Sequence, residues 1–302
     1  MRSVKRFIYK QIDKLFLGGC SSYNSLQVRK SCRSKLQARE SFKKNNIPHS
    51  QGVIFFNPWT AYRFAQEHGF PLVIKPNVGG FSRGSHFPIT TYGQLWKAAF
   101  GVKLWWPFSV VEKYVEGANY RVTAANGKIM SVIQRYPPFV DGDGHSSISR
   151  LIDKENAIRR KMNLFPVIHP IPKDGRITAF LRKKNLTLAS VPKAKERVTL
   201  FNRIALAPGG VIRTIDKDTI PIENKELFLK VLNSFQARIL GIDAIFEKGI
   251  EKSYRSQKCI FLEVNSRPYL KMHDFPRYGK REDLSDFYKE LDKNKASDSD
   301  IF

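Results

Sequence analysis

The stretch Phe261-Leu-Glu-Val-Asn265 decides the interpretation of this sequence, because it places two polar side chains on an otherwise apolar strand. Successive side chains of a strand point to opposite faces, so Glu263 and Asn265 share one face. A second apolar run, Gly241-Ile-Asp-Ala-Ile-Phe246, contains Asp243. A buried carboxylate is costly unless it is paired or binds a cation.

Oxygen ligands from two adjacent strands suit a hard cation, which favours a Mg²⁺ site with Mn²⁺ as the alternative ion. The predicted ligands are Asp243, Glu263 and Asn265. The competing interpretation pairs the acids with a neighbouring cation such as Arg267, which would leave a structural ion pair in place of a metal site.

Two further stretches have the composition of a nucleotide site. Pro71-Leu-Val-Ile-Lys-Pro76 is an apolar strand that ends in a lysine and precedes the loop Asn77-Val-Gly-Gly-Phe-Ser-Arg-Gly-Ser85. Small residues let backbone N–H groups approach a phosphate, although the order differs from the Walker pattern. In Glu112-Lys-Tyr-Val115, a strand edge could present backbone groups to adenine, with Asn119 beyond it for ribose. An ordinary strand and turn is the alternative for each stretch.

Hydrophobic periodicity predicts a mixture of helices and strands, and hence an α/β or α+β protein. Asn126-Gly127 is the preferred two-residue hairpin turn. We expect helices at residues 34–45, 57–69, 94–100, 147–156 and 225–240. Strands are expected at residues 53–56, 71–76, 109–115, 120–125, 128–134, 241–246 and 259–264.

The chain is strongly basic, with 52 Lys and Arg against 27 Asp and Glu, for a formal net charge of +25. This balance favours polyanionic partners such as nucleotide phosphates, nucleic acid or an anionic membrane surface, although a merely basic surface is the simpler alternative. The sequence contains no clear nucleic-acid motif. Its three cysteines, Cys20, Cys32 and Cys259, fit no metal-site spacing and indicate a reducing, cytoplasmic location. Cys259 lies in an apolar run and is expected to be buried.

Residues 1–17 have the pattern of a basic amphipathic helix. Lys10, Gln11, Asp13 and Lys14 interrupt the apolar core that a signal peptide requires. We expect this helix to dock on the protein, with weak contact to a membrane surface as the alternative. No stretch approaches the roughly 18 apolar residues of a membrane span.

Taken in order, these stretches resemble the ATP-grasp superfamily over residues 35–281, and most closely the ligase region of cyanophycin synthetases and fused bacterial glutathione synthetases. The matching stretches are Gly69-Phe-Pro-Leu-Val-Ile-Lys-Pro76, Val111-Glu-Lys-Tyr-Val-Glu-Gly-Ala-Asn-Tyr-Arg121, Asp141-Gly-Asp-Gly-His145, Ser147-Ile-Ser-Arg-Leu-Ile152, Leu186-Thr-Leu-Ala-Ser-Val-Pro192, Glu263-Val-Asn265 and Met272-His-Asp-Phe-Pro276.

The resemblance implies an α+β ATP-grasp fold, with two α/β subdomains that clasp ATP between antiparallel sheets. It implies a basic N-terminal extension over residues 1–30, an ATP-grasp domain over 31–290 and a polar tail over 291–302. Within the domain, residues 31–70 would form a helix and strand segment, 71–115 a small ATP-lid subdomain, and 116–290 the larger catalytic subdomain. Relatives also suggest a homodimer.

The resemblance also assigns roles to individual residues. Those expected to bind ATP are Lys35, Lys75, Gly79, Gly80, Ser82, Gly84, Ser85, Glu112, Lys113, Tyr114, Val115 and Asn119, and those expected to hold Mg²⁺ are Asp243, Glu263 and Asn265. Arg121 would face the acyl phosphate or the acid substrate, and Arg203 is a second candidate catalytic residue. Relatives usually carry an acid at the position of Asn119.

The implied activity is an ATP- and Mg²⁺-dependent carboxylate–amine ligase that uses small, amino-acid-like substrates. The chain departs from its relatives at residues 205–210, where Ala205 and Ala207 replace polar residues expected at the reaction centre. This departure motivates the alternative of a nucleotide-binding protein without catalysis. A small-molecule kinase of the same superfamily is another alternative, and a basic nucleic-acid or membrane adaptor is a third.

Overall fold

The computed structural model describes residues 23–77, 84–104 and 106–293. The predicted amphipathic helix at residues 1–17 and most of the predicted tail lie outside this part of the chain. No helix among the described residues is both long and apolar enough to cross a bilayer.

The chain divides into two compact units. The first comprises the described residues of Met1–Val132, Asp216–Tyr269 and Leu284–Phe302, and the second comprises Ile133–Ile215 and Leu270–Asp283. The predicted boundaries at residues 70/71 and 115/116 follow a different division and stay a prediction.

The described elements alternate between helices and strands. The helices are α1 (Leu26–Arg33), α2 (Lys35–Lys44), α3 (Pro58–His68), α4 (Tyr92–Gly101), α5 (Ile148–Lys161), α6 (Gly175–Arg182), α7 (Ile222–Ser234) and α8 (Ser285–Lys293). The strands are β1 (Gly52–Phe55), β2 (Leu72–Pro76), β3 (His86–Ile89), β4 (Ser109–Lys113), β5 (Ala118–Ala125), β6 (Lys128–Tyr136), β7 (Phe139–Asp141), β8 (Arg197–Thr199), β9 (Val211–Ile215), β10 (Ile239–Phe246) and β11 (Cys259–Asn265).

A four-stranded sheet in the order β1-β4-β2-β3 forms one layer of the first unit. Helices α3 and α4 cover one of its faces with small and apolar side chains, among them Ala61, Phe64 and Leu95, all of which are buried. Asn57 caps α3 by accepting a hydrogen bond from the Trp59 backbone N–H at 3.0 Å. The cap, the proline at the first turn and the apolar spacing together confirm this predicted helix.

The second sheet has the order β11-β10-β5-β6-β9. Strand β10 pairs antiparallel with both β5 and β11, which places the two predicted acidic strands side by side. Helix α7 packs on this sheet through Phe228, whose ring lies 5.0 Å from Phe261 and 6.2 Å from Phe246. Cys259 on β11 is buried, as expected.

The second unit has its own apolar core between helices α5 and α6 and the short β7–β8 pair. Arg159 on α5 is buried and donates hydrogen bonds to the carbonyls of His169 at 2.8 Å and Gly209 at 2.9 Å. Glu155 binds Arg159 and also Arg277, both at 2.9 Å. The bond from Arg159 to the Gly209 carbonyl holds the segment of residues 205–210 against α5.

The predicted end of the helix at residues 225–240 is wrong. Helix α7 stops at Ser234, and Gln236 has a positive φ of 50°, which a continuing helix does not allow. Ile239 and Leu240 belong to β10 instead. A short apolar run fits a buried helix turn and a buried strand equally well, so periodicity alone could not place this boundary.

Asn24 ties the segment before α1 to the second sheet. Its side-chain amide donates to the carbonyls of Ile239 and Ser266, each at 2.8 Å. Its oxygen accepts from the backbone N–H groups of Arg238 at 3.0 Å and Ile239 at 3.4 Å. Asn24 is 1% exposed, so the described fold begins well before residue 31.

We expect Asn24→Ala to lower the free energy of unfolding by about 2–3 kcal/mol, because buried backbone groups lose their partners. Asn45→Ala is the control: its amide makes a single part-buried bond to Ser41, and about 1 kcal/mol or less is expected. Urea denaturation of both variants measures the difference. Equal losses would contradict the role assigned to Asn24.

Candidate nucleotide and metal site

The strand register of the first unit aligns three charged residues across the second sheet. Asp243 on β10 lies opposite Glu263 on β11 and opposite Arg121 on β5. Directly opposed side chains in an antiparallel sheet share a face. Asn265 follows Glu263 by two positions and therefore joins the same face. The predicted convergence of Asp243, Glu263 and Asn265 is thus present in the register.

Arg121 and Asp243 form a buried, two-point ion pair. Arg121 donates from Nε to Oδ1 of Asp243 and from Nη2 to Oδ2 at 2.7 Å. Gly241 makes room for this pair, since a Cβ there would lie 3.3 Å from the Arg121 Cδ and 2.8 Å from the Pro268 Cβ. Burial opposes the charge on Arg121, but Asp243 outweighs it and raises the pKa of the guanidinium.

Arg121 is therefore the cation that neutralises Asp243, a role that sequence analysis had considered for Arg267. The two bonds from Arg121 use two of the roughly four lone-pair sites of the Asp243 carboxylate. Arg121 was predicted to face the substrate, and that role stays a prediction.

The residues on this face fit a magnesium ion. The donor set contains two carboxylates and one amide, and Mg²⁺ takes oxygen ligands. The Asn265 Nδ2 is buried without a hydrogen-bond partner among the described residues. It is an N–H donor, so the amide oxygen would be the atom that binds the ion. The described residues contain no cluster of three or more His, Cys, Asp or Glu side chains suited to a metal. The predicted ligand set therefore depends on the amide as its third member.

Glu112 on β4 binds two cations at once. Lys75 Nζ lies 2.6 Å from Glu112 Oε2, and Arg39 donates from Nη2 to Oε1. All three side chains are largely buried, at 12% exposed for Lys75, 7% for Glu112 and 15% for Arg39. Burial favours the neutral acid, but Lys75 and Arg39 outweigh it and hold the pKa of Glu112 below its ordinary value.

Helix α2 begins at Lys35 beside the predicted phosphate loop. The Lys35 backbone N–H donates to the Asn77 carbonyl at 3.3 Å, and the Leu36 N–H donates to the Asn77 side chain at 3.3 Å. Asn77 is the last described residue before the glycine-containing loop. The positive end of the helix dipole therefore lies where that loop starts.

The ammonium of Lys35 belongs to the same charge cluster. Burial lowers the pKa of Lys35, Lys75 lowers it further, and the carboxylates of Glu263 and Glu112 act in the opposite direction. Three cations and two carboxylates thus interact in the first unit, which joins the Glu112 group to the Glu263 group.

Arg39 is a site residue that sequence analysis missed. It lies four positions after Lys35 on α2 and therefore projects from the same helix face. That spacing was a signal available in the sequence.

Backbone hydrogen bonds attach the predicted adenine segment to neighbouring parts of the chain. The Lys113 N–H donates to Gln51 and the Tyr114 N–H to Pro71, both at 3.0 Å. Lys113 Nζ donates to the carbonyls of His68 at 2.7 Å and Gly69 at 3.1 Å, at the end of α3. The Lys113 side chain therefore supports the helix end. Because the Tyr114 N–H is bonded to Pro71, recognition of adenine would then fall to the Tyr114 carbonyl and the backbone of Val115, which stays a prediction.

The remaining predicted residues are placed as follows. Asn119 is buried on β5, on the same face as Arg121. Gly84 is buried with a φ of 69°, and Ser85 is half-buried. Gly79, Gly80 and Ser82 lie outside the described residues. Arg203 belongs to the second unit, where its guanidinium lies 5.9 Å from the Phe201 ring.

The pKa of Glu112 gives a pH prediction. Because its folded pKa is lowered, its charge stabilises the fold above the ordinary value, and that contribution is lost as pH falls through the folded pKa. We expect Glu112→Gln to be less stable than the original protein at pH 7, with a difference that shrinks below about pH 4.3. Urea denaturation between pH 7 and pH 3 measures it, and a constant difference would refute the ion-pair assignment.

Comparisons with known proteins bear on this arrangement. No protein-family model matches the chain. Over 219 residues, the chain is 33% identical to cyanophycin synthetase from Synechocystis sp., an alignment that covers 70% of the chain and 24% of that protein. The fold is similar to that of a bifunctional glutathione synthetase from Pasteurella multocida, with a TM-score of 0.62 and 21% identity over 89% of this chain and 37% of that one.

A further solved structure with a similar fold is an ATP-grasp ligase. The ATP-grasp ligase PsnB, in complex with a phosphomimetic variant of its minimal precursor, Mg and ADP, matches with a TM-score of 0.52 and 12% identity over 90% of this chain and 61% of that one. The chain has the ATP-grasp fold. The predicted resemblance to ATP-grasp proteins and the predicted α+β class with antiparallel sheets are confirmed. This ATP-grasp chain spans about a quarter of the Synechocystis relative, since the alignment covers 24% of it.

Proposed function

We propose that this chain is an ATP- and Mg²⁺-dependent ligase that joins a carboxylate and an amine into an amide through an acyl phosphate. The observation that carries the proposal is the charge cluster of the first unit, in which Glu112 binds Arg39 and Lys75. Lys35 interacts with both Glu112 and Glu263, and Glu263 is a proposed metal ligand opposite Asp243 on the second sheet. The names of the relatives, two synthetases and an ATP-grasp ligase, support the same class of activity.

Nucleotide binding would use the cations of this cluster. Lys75 and Lys35 would contact the phosphates, and residues 79–85 would cover them. Lys75 is paired with Glu112 at 2.6 Å, and Lys35 interacts electrostatically with Glu263 and Glu112, so a nucleotide would compete with these carboxylates for the two lysines. The segment from Glu112 to Val115 would hold adenine, and Asn119 would take the ribose position.

Magnesium would be held by Asp243, Glu263 and Asn265. The chemistry that the ion supplies when bound is neutralisation of charge on the nucleotide phosphates. Arg121 would position Asp243 through their paired hydrogen bonds, because a hydrogen-bond partner of a metal ligand fixes the direction in which that ligand points.

The reaction would proceed in two displacements. A carboxylate oxygen of the substrate attacks the γ-phosphorus, the bond to the ADP oxygen breaks, and an acyl phosphate forms. The amine nitrogen then attacks the acyl carbon, phosphate leaves with the bonding electrons, and the nitrogen loses a proton. No protein nucleophile is needed, and burial raises the pKa of the Cys32 and Cys259 thiols to about 12, so neither supplies a thiolate.

The proposal is tested with the purified full chain, ATP, Mg²⁺ and a matrix of amino-acid-like carboxylates and amines. We expect ADP release that requires Mg²⁺ and both substrates, with one amide formed per ADP by mass spectrometry. The absence of ADP release across the matrix would contradict the proposal, and a stable phosphorylated product would identify a kinase instead.

A nucleotide-binding protein without catalysis is the second candidate, favoured by residues 205–210. Ala205 and Ala207 have no polar side chain that could contact a substrate. The Gly210 N–H donates a 2.9 Å hydrogen bond to the Ala205 carbonyl, so this backbone N–H is already used within the segment. Mg²⁺–ATP that raises the melting temperature without turnover would favour this candidate.

A further inference from the structure

Exposed aromatic side chains are concentrated on one part of the first unit. Among the described residues, seven of the fourteen exposed large apolar side chains lie between Phe56 and Phe108. Large exposed apolar patches on soluble domains mark interaction sites, whereas isolated exposed side chains need no explanation. We define the aromatic patch as Trp59, Trp96, Phe100, Leu104, Trp106 and Phe108.

Part of the aromatic patch lies on the side of α3 and α4 opposite the apolar core. The Trp96 ring lies 5.0 Å from Trp59 and 6.0 Å from Phe100. Trp59 is 57% exposed and Phe100 is 62% exposed. These rings therefore form a continuous surface across two helices.

The other part of the aromatic patch is a loop between α4 and β4. Leu104 is 90% exposed, Phe108 is 51% exposed and Trp106 is 39% exposed. Lys103 fixes this loop, because its ammonium donates to the carbonyls of Phe55 at 3.1 Å and Pro107 at 2.5 Å. Exposed loop tips commonly carry small or polar residues. This loop exposes Leu, Trp and Phe instead, which suits insertion into an apolar phase.

The charge around the aromatic patch identifies the partner. Arg63 lies four positions after Trp59 on α3 and Lys97 directly follows Trp96 on α4; both are exposed, against one exposed acid on these helices, Glu67. The chain as a whole has a formal net charge of +25. A second copy of the chain would bring the same positive charge, which opposes self-association. An anionic bilayer attracts basic residues and accepts Trp and aromatic rings at its interface.

We propose that the aromatic patch docks this chain on an anionic phospholipid bilayer, with the side chains of Leu104, Trp106 and Phe108 inserted at the interface. Arg63 and Lys97 contact the headgroups. Each inserted side chain leaves water, and burying a large apolar side chain is favourable enough to change affinity severalfold.

The test is sedimentation of the full chain with vesicles of phosphatidylcholine containing phosphatidylserine at 30 mol% (roughly the anionic content that gives a strong surface potential). We expect binding that falls with added salt, and tryptophan fluorescence that shifts to the blue. The variant Leu104→Ser/Trp106→Ser/Phe108→Ser should bind at least about 30-fold more weakly.

The matched control is Met162→Ser/Val191→Ser/Ile222→Ser, which removes three exposed apolar side chains from outside the aromatic patch. It should keep its vesicle affinity within about twofold, since none of these residues enters the bilayer. Both variants retain residues 1–17, so the basic N-terminal sequence contributes equally. Circular dichroism establishes that each variant is folded.

Two results would overturn the proposal. One is equal vesicle affinity for the loop variant and the control. The other is a dimer, detected by sedimentation equilibrium, that the loop variant abolishes while its vesicle affinity stays unchanged. That second outcome would assign the aromatic patch to contacts between copies of the chain.

Discussion

Replacing Arg121 by methionine is expected to lower the free energy of unfolding by about 3–5 kcal/mol, because it leaves the Asp243 carboxylate buried without its counterion. Both residues are nearly inaccessible, at 8% exposed for Arg121 and 3% for Asp243. Methionine approximates the length of the arginine side chain, so the loss measures the charge and its hydrogen bonds more than the packing. Urea denaturation at pH 7 is the measurement.

Two further variants separate the ion pair from general damage. Arg176→Met breaks the exposed pair with Asp174, and a change of about 0–1 kcal/mol is expected. The double variant Arg121→Met/Asp243→Leu removes both buried charges, and we expect it to recover most of the lost stability. If the double variant were as unstable as Arg121→Met, the explanation that the loss comes from the unpaired Asp243 carboxylate would be wrong.

Replacing Glu263 by glutamine is expected to reduce Mg²⁺-dependent ADP release about 100- to 1000-fold. The substitution keeps the size of the side chain but removes the charge that faces Lys35 and aligns with Asp243. Since Glu263 is a proposed magnesium ligand, the apparent Mg²⁺ concentration for half-maximal activity should rise as well.

Steady-state ADP release at several Mg²⁺ concentrations measures both effects. Glu226→Gln is the matched control, because Glu226 is exposed on α7 and its loss should leave activity within about twofold. Unfolding of Glu263→Gln should resemble that of the original protein. Unchanged ADP release in Glu263→Gln would exclude this carboxylate from the metal site.

Local sequence signals predicted much of the first unit correctly. The location of Glu263 and Asn265 on the same face of their strand follows from the alternation of side chains alone, which does not depend on the rest of the fold. Asn57 and Pro58 marked the start of α3, and the register then placed Asp243 beside Glu263. The charged lysine at the end of β2 was also recognisable from sequence.

Contacts between distant segments could not be predicted in the same way. Arg121 and Asp243 are separated by 122 positions, and their pairing depends on the register of β5 against β10. Asn24 lies in a polar run without apolar periodicity, so no sequence pattern indicated that it would lie in the core. Its side-chain amide nevertheless forms hydrogen bonds with backbone groups 214 or more positions away. Such pairings are fixed by tertiary structure, for which local propensity has no signal.

Glu112 has a consequence for ligand discrimination. An incoming anion competes with this carboxylate for Lys75 and Arg39, so part of its binding energy is spent on weakening existing contacts. A ligand with several negative charges can compensate for that loss, whereas a monophosphate has less charge with which to do so. We expect Glu112→Gln to narrow the ratio of ATP to AMP affinity, measured by calorimetry. The Glu112 carboxylate would then favour the binding of polyphosphates over anions with less negative charge.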